Sequence, residues 1–224
     1  NEMQIASNND ITIMIMLGGA GGAYTNLFQE FNSYYSLLKS FIKKYPFIKG
    51  IDLDIEEGVD LDNVKLLIRT LTKDFGDQFI ITMAPVEFSM ISNDPGMGGF
   101  KYKDILNSKE GKYINWFNVQ CYGSFTFETY QQIINNGYNP ENIVMGMLGD
   151  DFNPNNFDMA LSEIKKVYSS YPKMGGFCLW EYGDTTIPPL IWGKKIENTF
   201  EDINKSLIKI NNIVIEYNPN HLWS

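Results

Sequence analysis

Histidine is almost absent from this chain: His221, close to the C-terminus, is the only one among 224 residues. A Ser-His triad or a His-rich zinc site needs imidazole beside the chemistry, so neither is expected. Cysteine is nearly as scarce. Cys121 and Cys178 lie far apart, each inside an apolar run. Two such residues make no disulfide framework and read as buried thiols. Basic charge is short as well: 18 Lys and Arg face 27 Asp and Glu, for a net charge of -9, and the basic residues are scattered. Phosphate backbones are held by basic patches, so nucleic acid is not an expected partner. No run of about 18 uninterrupted apolar residues occurs, so no membrane span is expected. No basic segment followed by an apolar stretch opens the sequence, so no signal peptide is visible. Solenoid-period repeats and low-complexity linkers are also lacking.

What remains is an ordinary globular composition, 44% apolar, in a chain long enough for one domain with a substantial core. One pattern recurs along it: a short apolar run, a turn, then a helical stripe. The runs, rich in Ile, Met, Val and Phe, are 11–17, 48–55, 79–85, 116–122, 143–148 and 176–180. Near-continuous apolar runs suit strands buried on both faces of a parallel sheet. Between them, 26–44, 62–75 and 156–171 carry apolar residues at spacings of three and four, and 126–135 is a shorter candidate helix. Asp62 and Asn156 are plausible N-caps, and Pro46 and Pro172 mark helix stops. Alternating strands and helices predict an α/β fold with a parallel sheet, either doubly wound or closed as a barrel. Gly18, Gly19, Gly21 and Gly22 follow the first run, but no acidic ribose ligand stands about 20 residues on in a second strand. A tight strand-to-helix turn is the stronger reading, and no cofactor is expected.

The most informative segment is Lys49-Gly50-Ile51-Asp52-Leu53-Asp54-Ile55-Glu56-Glu57. Its alternation places Ile51, Leu53 and Ile55 on one side and Asp52, Asp54 and Glu56 on the other. An edge strand with one wet acidic face would explain it. The flanking helical patterns argue instead for the interior of a parallel sheet, where three carboxylates lose hydration and repel one another. Such a cluster needs partners, a metal or a shared proton. At the C-terminal strand ends of a barrel it would open into an active site, with Glu56 outermost and Asp52 deepest. Coupled titration would then raise the outermost acid towards the range useful for general acid catalysis.

The segment resembles the D-G-x-D-x-D-x-E signature of glycoside hydrolase family 18, the chitinase family. Gly50, Asp52, Asp54 and Glu56 match in type and spacing; Lys49 stands where the family has its first acid. Other segments agree in order. Leu17-Gly18-Gly19 resembles the end of the third barrel strand, Thr82-Met83-Ala84-Pro85 the fifth, and Asn118-Val119-Gln120-Cys121-Tyr122 the sixth, which carries Q-x-Y in hevamine-like chitinases. Val144-Met145-Gly146 resembles the seventh, and Gly175-Gly176-Phe177-Cys178-Leu179-Trp180 the eighth. The resemblance spans about residues 11–200, and it also includes the endo-β-N-acetylglucosaminidase-like branch.

That resemblance implies a (β/α)8 TIM-type barrel and a retaining, substrate-assisted glycosidase, an exception to the two-carboxylate rule. Glu56 would be the general acid/base. Asp54 would hold the acetamido N–H of the sugar, Asp52 would hold Asp54 and share its proton, and Tyr122 would donate to the acetamido oxygen. Trp180 would floor the sugar, a flat ring suiting the C–H face of a pyranose. Gln120, Gly19 and Met83 complete the candidate sugar contacts, although packing is the simpler role for Met83. Trp116 and Trp192 read as structural, and Glu87 as a rim residue. The implied substrate is chitin or another N-acetylglucosamine-containing oligosaccharide, N-glycans included, and 93–103, rich in Gly and Pro, is a candidate rim loop. Such a substrate suggests an extracellular or lumenal site by analogy. Competing readings are a sugar-binding barrel without catalysis and a metal-dependent hydrolase using Asp52 and Asp54.

The pattern yields only six strands, matching the family's third to eighth. The first two are expected from an upstream segment or another chain. The barrel domain is expected over 1–205, with a strand-like extension over 206–224 in which 207–217 alternates isoleucines.

Overall fold

The computed structural model describes residues 2–149, 156–185 and 188–211. They form two compact units, one ending at Asn118 and the other beginning at Val119.

In the first unit, α1 (Glu2–Asn8) precedes β1 (Ile13–Gly18), α2 (Tyr24–Gln29), α3 (Phe31–Lys44), β2 (Ile48–Asp54), α4 (Leu61–Phe75), β3 (Ile80–Met83), α5 (Glu87–Ile91) and α6 (Tyr102–Leu106). β4 (Trp116–Gln120) begins here and continues into the second unit. β1, β2, β3 and β4 lie side by side in chain order and every pair is parallel. Parallel neighbours need a long crossover, and the intervening helices supply it. Ile51, Leu53 and Ile55 are buried, as are Val64, Leu67, Ile68 and Leu71 on one stripe of α4. Each such side chain contributes about 1.5–3 kcal/mol of transfer free energy.

Two helix details differ from the sequence reading. The stripe over 26–44 is two helices, because Glu30 at φ -131°, ψ 56° leaves the helical region between α2 and α3. The cap of α4 is Asp60, whose carboxylate accepts the Asp62 N–H at 2.7 Å. Asp62 lies inside the first turn, where an acidic side chain suits the helix dipole.

In the second unit, α7 (Phe127–Asn135), β5 (Ile143–Leu148), α8 (Phe157–Ser170), β6 (Gly176–Trp180) and α9 (Pro189–Asn211) follow. β5 and β6 are parallel, and Cys121 N–H donates to Gly146 O beyond the end of β4. Met147, Phe157, Ala160, Ile164 and Ile196 form one buried apolar cluster in it, with Trp192 packed against them, which agrees with a structural role for that indole. α9 takes residues 207–211 into a helix, so the first part of the expected strand-like tail is not strand. The reason is visible in the spacing: Ile196, Phe200, Ile203, Leu207 and Ile210 continue a helical stripe at intervals of three and four. The rest of that tail, 212–217, lies outside the described residues. Among the described residues no helix is long and apolar enough to cross a membrane.

Candidate active site

The carboxylates stand on β2 and the residues just after it. Ile51 and Leu53 on β2 and Ile55 just after it are no more than 1% exposed, which accords with the apolar side of the expected pattern. Register then decides the neighbours. Asp52 pairs with Met16 and Thr82, and Asp54 with Gly18. Gly50, on the same side one step deeper, is pressed by β3 and β1: a Cβ there would stand 2.6 Å from Ile80 O and 3.1 Å from Met14 Cε. Lys49, at the position that departs from the family signature, turns outward and donates to Pro46 O at 2.8 Å, clear of the acids.

Asp52 is fixed by two side-chain donors. Thr82 Oγ1 donates to Asp52 Oδ1 at 2.5 Å, and Asn118 Nδ2 donates to the same oxygen at 3.2 Å. Asn118 is itself held by Trp116, whose indole N–H donates to Asn118 Oδ1 at 2.9 Å. Trp116 is therefore more than packing: it orients the amide that orients Asp52. Burial raises Asp52 above the usual carboxylate range, and these hydrogen bonds pull it partly back. Asp54, 6% exposed, is pushed up to about 7, by burial first and then by the negative charges of Glu56 and Asp52. The cluster is therefore suited to keep a proton on its middle member near neutrality.

The glycine-rich turn after β1 lies against this cluster. Gly19 N–H donates to Asp54 O at 2.9 Å, and a Cβ on Gly19 would stand 3.6 Å from Asp54 Oδ2. Gly18, at φ +104°, has no room for a side chain, since its Cβ would fall 2.0 Å from Asp54 O. Tyr24 packs under that turn, fully buried, and its hydroxyl donates to Leu17 O at 2.7 Å. Burial, then the charges of Asp52 and Asp54, hold its hydroxyl well above the usual tyrosine range, so it stays neutral. Glu57 reaches the same turn, accepting the N–H groups of Ala23, Tyr24 and Thr25 and the Thr25 hydroxyl. Those bonds, the Thr25 hydroxyl foremost, hold Glu57 below its ordinary value. The rim-loop candidate also touches the segment following Glu56, because Val59 N–H donates to Gly98 O at 3.0 Å.

Met83 does not fit the role of sugar contact. It is fully buried and pairs with Leu53 and Phe117 in register, on the side of the sheet away from Asp52. The one-residue step from Thr82 to Met83 turns the side chain to the opposite face. Glu87 opens α5 in its first turn. In the second unit, Gln120 is a buried residue ending β4, Tyr122 follows in the turn closed by Ser124 N–H to Cys121 O, and Trp180 ends β6 with 45% exposure. Cys121 is buried and Cys178 partly so. Sequence reasoning missed Thr82, Asn118, Trp116, Tyr24 and Glu57. The only signals for Thr82 and Asn118 were polar side chains interrupting apolar runs, two residues from their neighbours on the same face.

Comparison with known proteins agrees with this geometry. The family model described as Glycosyl hydrolases family 18 matches residues 1–149. No curated protein matches. Among solved structures, the chitinase ChiC from Aspergillus fumigatus is 28% identical with a TM-score of 0.75, over 88% of this chain and 76% of its own. A fungal endo-β-N-acetylglucosaminidase from glycosyl hydrolase family 18 is 27% identical with a TM-score of 0.76, over 89% of this chain and 75% of its own. The α/β architecture is thus that of a TIM-type barrel, with six of its strands among the described residues. With the acidic strand in place and the family model covering most of the chain, this protein belongs to glycosyl hydrolases family 18 and is a glycosidase.

Proposed function

We propose that this chain hydrolyses β-1,4-linked N-acetylglucosamine, in chitin or chitooligosaccharides, by a retaining and substrate-assisted route with Glu56 as acid and base. The observation that carries the reading is the buried Asp54, raised to about 7 between Asp52 and Glu56. A carboxyl poised there can hold a proton or release it near neutral pH. In the first step Glu56 gives its proton to the glycosidic oxygen as the C1–O bond breaks. The sugar's own acetamido oxygen bonds to C1, so no enzyme carboxylate is the nucleophile. Asp54 accepts the acetamido N–H and offsets the positive charge on the oxazolinium ring. In the second step water adds to C1, its proton goes to Glu56, and the bond from C1 to the acetamido oxygen breaks. Asp52, held by Thr82 and Asn118, fixes Asp54 and shares its proton. Gly19 leaves the approach to Asp54 free of a side chain. Tyr122, Gln120 and Trp180 keep the roles their motifs imply.

Hydrolysis of a fluorogenic chitotriose by the chain, with Glu56→Gln beside it, tests the proposal. Turnover lost in the variant supports it; equal turnover in both removes Glu56 from the chemistry. The likeness to a fungal endo-β-N-acetylglucosaminidase favours one further reading, cleavage of the chitobiose core of N-glycans. Release of glycan from a high-mannose glycopeptide, without turnover of chitotriose, would favour it.

A further inference from the structure

Resting on the assignment of Glu56 as acid and base, we propose that Glu57 is a positioning residue that sets where Glu56 stands, by clamping the segment after β2 to the glycine-rich turn. Two independent ties join these stretches. At one end Gly19 N–H donates to Asp54 O at 2.9 Å. At the other, Glu57 Oε1 accepts the N–H groups of Ala23 and Tyr24, the latter at 2.5 Å. Glu57 Oε2 accepts Thr25 N–H at 3.2 Å and Thr25 Oγ1 at 2.5 Å. Between the ties, Gly22 N–H donates to Gly19 O at 3.0 Å and braces the turn. The result is a closed ring running through 54–57 and 19–23, with Glu56 between its two joints.

The turn is shaped for this carboxylate. Gly22 sits at φ +70°, and a Cβ there would lie 3.2 Å from Glu57 Oε1, so a side chain would crowd the clamp. The turn is also anchored below, by the buried Tyr24 ring and its hydroxyl bond to Leu17 O. Charge-assisted bonds to several N–H donors are stronger and shorter than neutral ones, so an ionised Glu57 holds the ring where a neutral side chain would loosen it. Proton transfer to a glycosidic oxygen is sensitive to small displacements, and a shift of about 1 Å can cost about a hundredfold in rate. Glu57 thus acts through its neighbour and needs no contact with sugar.

The test compares Glu57→Ala, Glu57→Gln and Thr25→Val with the parent chain, on two readouts. One is kcat and KM on fluorogenic chitotriose. The other is the titration of the Asp54 carboxyl followed by carbon NMR, which reports the geometry of the acids whether or not sugar turns over. Glu57→Ala is expected to lower kcat about a hundredfold while KM stays within about threefold. The Asp54 midpoint should move by more than about half a pH unit. Glu57→Gln, which keeps one acceptor oxygen at the turn but loses the charge and the second acceptor, should recover only part of the loss. Thr25→Val, at an exposed position, should move both readouts the same way by less. A folded Glu57→Ala with unchanged kcat and an unchanged Asp54 midpoint overturns the proposal. If Glu57→Ala does not fold, Thr25→Val decides by the same criterion. Absence of turnover in the parent would count against the assignment of Glu56, and the Asp54 midpoint alone would then judge the clamp.

Discussion

Thr82 Oγ1 donates a 2.5 Å hydrogen bond to Asp52 Oδ1 across the parallel register that pairs these two residues on β3 and β2. The bond joins a threonine inside an apolar strand to the deepest acid of the cluster. It favours the ionised form of Asp52, against the desolvation that favours the neutral one. Thr82→Val keeps the shape and removes the donor. Asp52 should then bind its proton more tightly, and kcat should fall about ten- to a hundredfold. A steady-state pH profile of the variant, compared with the parent, checks both expectations. An unchanged profile would mean that Asn118 alone suffices.

Asp54 carries a pH dependence of stability with a definite sign. Its carboxyl rises from 3.8 to about 7 on folding, so between those values the folded chain holds a proton that the unfolded chain has released. Stability from this group is full below the lower value and declines as pH rises through the window. Asp54→Asn is neutral throughout and should abolish that decline. Thermal melts at about pH 4 and about pH 8 should show the variant gaining stability over the parent only at the higher pH. Activity should fail in the same variant, since an amide in place of the carboxyl cannot share a proton with its neighbours.

The basic limb of kcat/KM should lie near the same value. As pH rises through about 7, Asp54 loses its proton and a further negative charge develops between Asp52 and Glu56. The expected outcome is a fall in kcat/KM centred near that pH on chitotriose, measured across buffers of constant ionic strength. A plateau extending about two units higher would remove Asp54 from the shared-proton role.

Arg69 and Glu110 supply a prediction away from the chemistry. Arg69 Nη1 donates to Glu110 Oε1 at 2.8 Å, and Glu110 is only 5% exposed. The Arg69 side chain, foremost through that bond, holds Glu110 below its ordinary value. Arg69→Met removes the charged partner of a buried carboxylate and should cost about 1–3 kcal/mol by urea denaturation at neutral pH. Because the parent pair loses its contribution as pH falls through the lowered Glu110 value, the gap between parent and variant should shrink in acid.

Gly50 tests the packing beneath the acids. A Cβ would meet Ile80 O at 2.6 Å and Ile80 Cβ at 2.7 Å, both on the neighbouring strand, which cannot swing away like a flexible side-chain tip. Gly50→Ala should destabilise by about 1–3 kcal/mol, the ordinary cost of overpacking. It should also lower kcat, because β2 must shift to accept it. Denaturation and kinetics on the same preparation separate the two effects.

Much of this protein was legible from local pattern. Alternation along β2 determined that Asp52 and Asp54 share a side, because successive strand residues must point to opposite faces. The six apolar runs determined the strands, and their alternation with helical stripes determined a parallel sheet, since parallel neighbours require crossovers. Other features depended on what lies beside each residue, which no local pattern contains. Register put Thr82 beside Asp52, while the next residue, Met83, went to the buried side with Leu53. Glu57 looked like one more acid in a run, and only the packing of the glycine-rich turn gave its carboxylate four donors. The expected rise in the outermost acid was a statement about coupling; burial, a tertiary quantity, lifted Asp54 to about 7. The stripe ending in 207–211 could serve either an alternating strand or a helix, and its continuity with the buried Ile196 and Ile203 of α9 decided for the helix. Sequence thus determined which residues are acidic, which are apolar and which share a face. Tertiary structure decided which donors meet those acids and how far water is excluded, because hydrogen bonds and desolvation depend on neighbours distant along the chain.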